Sequence, residues 1–250
     1  MTGTPSSLAG VSAHAQINSF CSTCAVRHRS LCSALSADEI ADLNAIARKT
    51  FLPAGTTFVF EGDSSRDFAT ITSGVAKLVR GSEDGRSQIV GLLFASDFMG
   101  RVPGFSRGAG ERNSIIAVSD LELCLFPRNS FIKLLEKYPS LEHVLLQQCL
   151  DELKLAREWM VILGRKTAGE RVASFLLHVA RKIQAQGDQG GTAFELPLAR
   201  SDIADYIGLT VETVSRQISK LRRDGVIELT GSKHVTHVDI SELKARAGFQ

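Results

Sequence analysis

Between Phe51 and Pro127 the apolar residues fall in short runs broken by turn residues. Thr57-Phe-Val-Phe60, Ala69-Thr-Ile-Thr72, Val75-Ala-Lys-Leu-Val79, Gln88-Ile-Val-Gly-Leu-Leu-Phe94 and Leu121-Glu-Leu-Cys-Leu-Phe126 alternate with glycines at positions 55, 62, 74, 85, 91 and 100. Short runs with this punctuation predict the strands of a β sandwich or barrel. Glu83-Asp-Gly-Arg86 predicts a hairpin tip, with Asp-Gly supplying positive φ angles. The period then changes. From Ser140 to about Leu163, apolar or small residues recur at Leu146, Cys149, Leu153, Ala156, Met160 and Leu163, in steps of 3, 4, 3, 4 and 3. That is the seam of a two-stranded coiled coil and predicts a dimerisation helix. Leu145, Leu150 and Trp159 add a second apolar face, expected to pack on the β domain.

Two capping boxes mark helix starts. Ser36-Ala-Asp-Glu39 precedes Ile40, Leu43, Ile46 and Ala47, predicting a helix from about Ala37 to Ala47. Thr167-Ala-Gly-Glu170 precedes Val172, Phe175, Leu176, Val179 and Ile183. Gly164 is the expected break before it, and residues 186–191 are expected to form a loop. Further on, Ile203, Ala204 and Ile207 give a short helix, Gly208-Leu-Thr210 a tight turn, and Val211 to Arg223 a second helix capped by Thr210. Two short helices joined by a Gly-containing turn predict a helix-turn-helix. Gly225-Val-Ile-Glu-Leu229 and His234-Val-Thr-His-Val238 predict a wing hairpin. The class is therefore α+β. The expected organisation is a mobile tail over residues 1–20, a β-roll domain with its preceding segment over 21–138, the long helix over 139–164, and a winged helix-turn-helix over 165–250.

Composition adds bounds. Of 250 residues, 44% are apolar and 22% charged, enough for a sizeable core. The first twenty residues hold no Lys, Arg, Asp or Glu, so the basic start and long apolar run of a secretory signal are missing. No apolar run approaches a bilayer's thickness. A cytoplasmic protein with no membrane partner is expected. Net charge is only +2, so any nucleic-acid contact needs locally concentrated basic residues. The second helix of the helix-turn-helix provides them. Glu212, Ser215 and Arg216 share its outward N-terminal face, where side chains reach base edges. Arg216 can meet guanine O6 and N7, and Glu212 can accept from cytosine N4. Arg200, Thr210, Lys220, Arg222 and Arg223 are candidate phosphate contacts. No Ser–His–carboxylate pattern, phosphate loop or HExxH helix suggests an enzyme.

In this order, β roll, long helix and winged helix-turn-helix resemble the CRP/FNR superfamily of bacterial transcription regulators. The segment Asp202-Ile-Ala-Asp-Tyr-Ile-Gly-Leu-Thr-Val-Glu-Thr-Val-Ser-Arg216 is very close to that family's motif, and Glu212, Ser215 and Arg216 match the base-reading residues of its FNR branch. The resemblance covers nearly the whole chain from Cys21. It implies a homodimer on palindromic double-stranded DNA with TTGAT-like half-sites. It also implies contact with RNA polymerase through the loop from Ser82 to Ser87, at Asp84, Gly85 and Arg86.

The effector is read from the cysteines. Three lie within twelve residues, Cys21, Cys24 and Cys32. In a reducing compartment, such clusters point to metal or redox chemistry. Local spacing serves two readings equally. Cys21, Cys24, His28 and Cys32 suit a tetrahedral Cys3His zinc site; soft thiolates also hold iron–sulfur clusters. The family resemblance favours the second. FNR-type oxygen sensors hold a [4Fe-4S] cluster with three N-terminal cysteines and one from the β roll. Cys21, Cys24 and Cys32 resemble the first three and Cys124 the fourth, with the longer spacing of the α-proteobacterial branch. Leu31 matches a position that shields the cluster from oxygen. Cys149, on the seam, is expected to be a small apolar residue rather than a ligand. The resemblance implies an oxygen-responsive regulator that binds DNA when loaded and is switched off in oxygen. The alternative is a cyclic-nucleotide or other small-ligand-gated regulator with structural zinc. Here the nucleotide-binding pattern is broken: Phe98-Met-Gly-Arg101 puts Arg101 where a ribose-binding Glu belongs, and Arg112-Asn-Ser114 follows downstream. One further departure stands out. Ala156 occupies a seam position where enteric relatives carry an Asp, which implies stronger dimerisation without the cluster.

Overall fold

A computed structural model describes residues 21, 23–63, 67–100, 112–185 and 193–248. The expected N-terminal tail, Arg101 of the broken nucleotide pattern and the loop at 186–191 lie outside the described residues.

Eight strands build the N-terminal half: β1 (Arg48–Leu52), β2 (Thr57–Val59), β3 (Asp67–Ser73), β4 (Ala76–Gly81), β5 (Ser87–Leu93), β6 (Phe98–Met99), β7 (Ser114–Ala117) and β8 (Leu121–Pro127). They form two four-stranded antiparallel sheets, ordered β1-β8-β3-β6 and β2-β7-β4-β5. Alternation along each strand sorts the side chains. Ala69, Ile71, Leu121 and Leu123 of the first sheet meet Val59, Ala76, Ile115 and Ala117 of the second in one apolar core. The opposite face of the first sheet carries Phe68, Thr70, Cys124 and Phe126. Strand β8 is central here, with β1 and β3 on either side.

The tip between β4 and β5 departs from the expected hairpin turn. Only Gly85 has a positive φ (+81°); Asp84 does not. The Ser82 N–H donates to the Arg86 carbonyl at 2.8 Å and the Gly85 N–H to that of Ser82 at 2.9 Å, closing a wider loop. The side chains explain the difference. Asp84 accepts from the Arg86 backbone at 3.1 Å and pairs with its guanidinium at 2.6 Å, which holds Asp84 in ordinary backbone space.

A layer of helix covers the outer face of the first sheet. It comprises a 3-10 turn (Leu31–Ala34), α1 (Ala37–Ile46) and α2 (Arg128–Lys137). The Ser36–Glu39 capping box of α1 is formed. Helix α2 lies outside the expected elements. It follows β8 without a side-chain cap, with Pro127 at its N-cap position. Its inward Phe131 packs with Phe68, Phe98 and Phe126 at ring separations of 5.0–5.6 Å. Leu31, Ile40, Leu43, Phe68, Phe126 and Phe131 share a second core with Leu141 and Leu145.

Leu141 and Leu145 belong to α3 (Pro139–Arg165), a 27-residue helix. Its buried positions are Leu141, Leu145, Trp159 and Ile162. All six expected seam residues are exposed: Leu146, Cys149, Leu153, Ala156, Met160 and Leu163. Leu150 corrects the expectation that it packs on the roll. It is 56% exposed. It follows Leu146 by one helical turn, on the outward side, and so widens the exposed stripe.

Helix α3 ends at Arg165, and Thr167 caps α4 (Ala168–Gln184) through a complete capping box with Glu170. The C-terminal unit adds β9 (Phe194–Glu195), α5 (Arg200–Ile207), α6 (Val211–Arg223), β10 (Ile227–Thr230), β11 (His234–Val238) and α7 (Ile240–Arg246). The wing is three-stranded, ordered β10-β11-β9. Gly208, at φ +63°, ends α5 in the left-handed region, where a Cβ is disfavoured. Val75, Ile89, Leu92 and Phe94 of the roll share a core with Trp159, Ile162 and the winged unit. The contact is also polar. Lys77 pairs with Asp202 at 2.7 Å, and the Ile89 N–H donates to the Asp205 carboxylate at 3.1 Å. Among the described residues, no helix is long and apolar enough to cross a membrane.

Candidate metal centre and nucleic-acid interface

The four cysteines singled out in the sequence come together. Cys21, Cys24 and Cys32 belong to the segment laid over the first sheet, and Cys124 points up from its central strand. All four line one pocket of about 190 Å³, with Val26, Ile40 and Phe126 supplying apolar walls. Cys149 is elsewhere, exposed on α3. His28 is exposed and does not line the pocket.

Local chemistry fixes the segment. Ser30 is 1% exposed and caps the 3-10 turn by accepting from the Cys32 N–H. Leu31 is fully buried, in the core against which Cys21, Cys32 and Cys124 pack. The Cys21 thiol donates to Asn44 Oδ1 at 3.2 Å. Asn44 is 4% exposed on the inward face of α1. Sequence reasoning missed this residue, although its signal was present: a polar side chain directly after Leu43 on the apolar face. Strand register brings in others. Cys124 pairs across the ladder with Lys49 on β1 and Thr70 on β3. The Thr70 hydroxyl is buried without a partner, a situation that costs about 1–3 kcal/mol.

The electrostatics favour neutral thiols. Burial, then the neighbouring Cys32 and Cys24, push the Cys21 thiol up to about 11. Burial, then Cys32, Cys21 and Cys24, push Cys124 up to about 12. Burial also raises Cys32, against the hydrogen bond from Ser30. Four thiolates here would repel one another in an apolar wall, so the set as thiolates needs a cationic group among them.

Size limits what that group is. One zinc ion at about 2.3 Å from each sulfur would draw four sulfurs within about 4 Å of one another. Among the described residues, no three or more His, Cys, Asp or Glu side chains are gathered to hold a metal ion in that way. A water occupies about 30 Å³, so a pocket of about 190 Å³ has room for a group of several atoms. The four thiols and the space between them are compatible with a sulfur-ligated group of several atoms, such as an iron–sulfur cluster.

The second surface lies on α6. Thr210 caps it by accepting from the Thr213 N–H. Val214, Ile218 and Leu221 are buried, which turns Glu212, Ser215 and Arg216 outward and leaves all three exposed. The Arg216 guanidinium donates to Thr213 Oγ1 at 3.2 Å, which steadies it along the helix. Lys220, Arg222 and Arg223 form a basic last turn. Arg200 is partly withdrawn: it donates to the Ser232 carbonyl at 2.9 Å and so braces the wing turn. Asp84, Gly85 and Arg86 are exposed at the tip of the roll.

A β roll docked on a winged helix-turn-helix, with a long helix carrying an exposed apolar stripe, defines a DNA-binding regulator rather than an enzyme. Comparison with known proteins agrees. Residues 170–246 match the Crp-like helix-turn-helix domain, and residues 49–138 match the cyclic nucleotide-binding domain. The transcriptional activator protein FnrL of Cereibacter sphaeroides is 44% identical over 231 residues, spanning 91% of this chain and 92% of its own. The fumarate and nitrate reduction regulatory protein of Salmonella typhi is 30% identical over 91% of this chain and 90% of its own. The solved structure of FixK2 from Bradyrhizobium japonicum superposes with a TM-score of 0.70 at 28% identity, covering 80% of this chain and 96% of that one. The chain belongs to the CRP/FNR family of transcription regulators.

Proposed function

We propose that this protein is an oxygen-responsive regulator, active on DNA as a homodimer when Cys21, Cys24, Cys32 and Cys124 hold a [4Fe-4S] cluster. The observation that carries the reading is the four-thiol pocket. Its four thiols come from two parts of the chain, the N-terminal segment and strand β8. An iron–sulfur cluster supplies sulfide-bridged iron that oxygen can oxidise and dismantle. The residues do the rest. With all four cysteines ligated, the N-terminal segment is pinned to the sheet. Leu31 in that segment packs with Leu141 and Leu145 of α3. Loss of ligation frees the segment and alters the support under the dimer helix, a population shift rather than an on–off contact. The exposed Leu146, Leu153, Met160 and Leu163 supply the proposed dimer seam, and two-fold pairing places two α6 helices for a palindromic site with TTGAT-like half-sites. Asp84, Gly85 and Arg86 are the proposed RNA polymerase contact.

Anaerobic purification tests the cluster. A broad visible absorption that bleaches in air, with DNA affinity falling in step, is the expected result. A colourless protein holding one zinc ion would sink the proposal and favour the small-ligand-gated alternative. The DNA face has its own test. Arg216→Ala should weaken binding by about five- to 150-fold per half-site and relax preference at a single base pair. Arg216→Lys should keep the phosphate attraction and still lose that base preference. Fluorescence anisotropy on a duplex series with single base-pair changes reads both; uniform weakening across the series would place Arg216 on the backbone instead.

A further inference from the structure

Register puts Thr70 directly across from Cys124. Opposed residues on one face of an antiparallel pair have Cβ atoms about 4.5–5.5 Å apart, so the Thr70 hydroxyl and the Cys124 sulfur are neighbours. Thr70 and Thr72 both line the cysteine pocket. Their hydroxyls differ. That of Thr72 donates to the Glu122 carbonyl at 3.0 Å. That of Thr70 has no hydrogen-bond partner, and the residue is only 3% exposed. Buried hydroxyls are nearly always paired. A neutral thiol is a poor acceptor; a thiolate bound to iron is a good one. The missing partner is thus created when Cys124 is ligated.

We propose that the Thr70 hydroxyl donates a hydrogen bond to the Cys124 thiolate of the loaded protein, withdrawing electron density from the cluster and slowing its loss in oxygen. The proposal rests on the iron–sulfur reading above. Thr70 is not a ligand. It tunes a ligand, because hydrogen bonds to cluster sulfurs make the cluster harder to oxidise.

The test compares Thr70→Val, which keeps the shape without the hydroxyl, with Thr70→Ser, which keeps the hydroxyl. Full-length proteins are reconstituted anaerobically with ferrous iron and sulfide, and their iron and sulfide contents are measured first. Resonance Raman spectra are taken in H2O and D2O, and bleaching is followed after mixing with air. Equal iron content is expected throughout. Thr70→Val should raise the Fe–S(Cys) stretching frequency, lose part of its deuterium sensitivity, and bleach about three- to tenfold faster, the scale of one ordinary hydrogen bond. Thr70→Ser should follow wild type. A valine variant that holds its iron and matches wild type in spectrum and bleaching overturns this proposal and leaves the cluster reading intact. A wild-type chain that takes up no iron overturns both. Should the valine variant fail to fold, Thr70→Ala against Thr70→Ser makes the same comparison.

Discussion

Cys124→Ala should bind less than a tenth of the iron and acid-labile sulfide that wild type holds after anaerobic reconstitution. The expected loss is this large because the other three proposed ligands cannot compensate. Cys21, Cys24 and Cys32 all sit on one short segment, and Cys124 is the proposed ligand from the sheet beneath it. Among the described residues, no other cysteine of the sheet lines the pocket to replace it. The fold itself should tolerate the change. Cys124 is held by ladders on both sides, to Lys49 and Thr70, and its side chain is only partly buried. Removing one sulfur atom there should cost about 1 kcal/mol, a shift of roughly 2–4 °C in the unfolding midpoint of the cluster-free protein. The control is His28→Ala, which should leave iron content unchanged, because His28 is exposed and outside the pocket. A Cys3His zinc site would give the reverse pattern, with His28→Ala losing metal and Cys124→Ala keeping it.

The contrast between these two residues shows how much of the site the sequence made legible. Local spacing left a Cys3His zinc site with His28 and an iron–sulfur set equally open, and the family resemblance favoured Cys124; the fold then leaves His28 exposed and sets Cys124 in the pocket with the other thiols. Local signals were reliable where local physics decides the outcome. Both capping boxes formed, Gly208 took the left-handed turn, and the burial of Val214, Ile218 and Leu221 followed from helical period. Signals failed where a tertiary partner decides. Helix α2 buries Phe131, Leu134 and Leu135, but it starts straight from a strand with no side-chain cap, so nothing marked its beginning. Leu150 read as a packing residue because it is apolar; which side of α3 meets the roll depends on Leu141, Leu145 and Trp159 together. The Asp84–Gly85 pair suggested a tight turn, and the Arg86 side chain reshaped it. Asn44 and Thr70 were invisible as site residues for a related reason. Neither belongs to a motif. Each matters because strand register or helix docking sets its polar atom against a cysteine twenty or more residues away in the chain.

Ala156→Asp should convert the cluster-free protein from a dimer to a monomer at micromolar concentration. Wild type should sediment as a dimer even after exposure to air. The reasoning begins with the stripe on α3. Leu146, Leu150, Leu153, Met160, Val161 and Leu163 are between 37% and 72% exposed, an unusual concentration of large apolar side chains on one helix. Ala156 lies among them, between Leu153 and Met160, also exposed. In a two-fold seam a central residue meets its own copy. Alanine permits close approach of the two helices at no electrostatic cost. Two aspartates at the same place would face each other about 4 Å apart, and at an effective dielectric of about 20 their repulsion is about 4 kcal/mol. That corresponds to a dissociation constant raised by roughly three orders of magnitude. Ala156→Asn is the control: similar in size, uncharged, and expected to remain dimeric. The aspartate variant should also regain dimer on acidification, because a like-charge pair raises its own carboxylate pKa and protonating one partner removes the repulsion. Sedimentation equilibrium at two pH values, with and without anaerobic reconstitution, measures all of this. Wild type that is monomeric without its cluster would mean that the exposed stripe alone cannot hold the dimer and that ligation at the cysteine pocket supplies the remainder through Leu31. Ala156→Asp that stays dimeric would place the seam on another face of α3. Fully loaded Ala156→Asp should recover part of its dimer and part of its affinity for a palindrome, since ligation and the seam charge act on the same equilibrium with opposite sign.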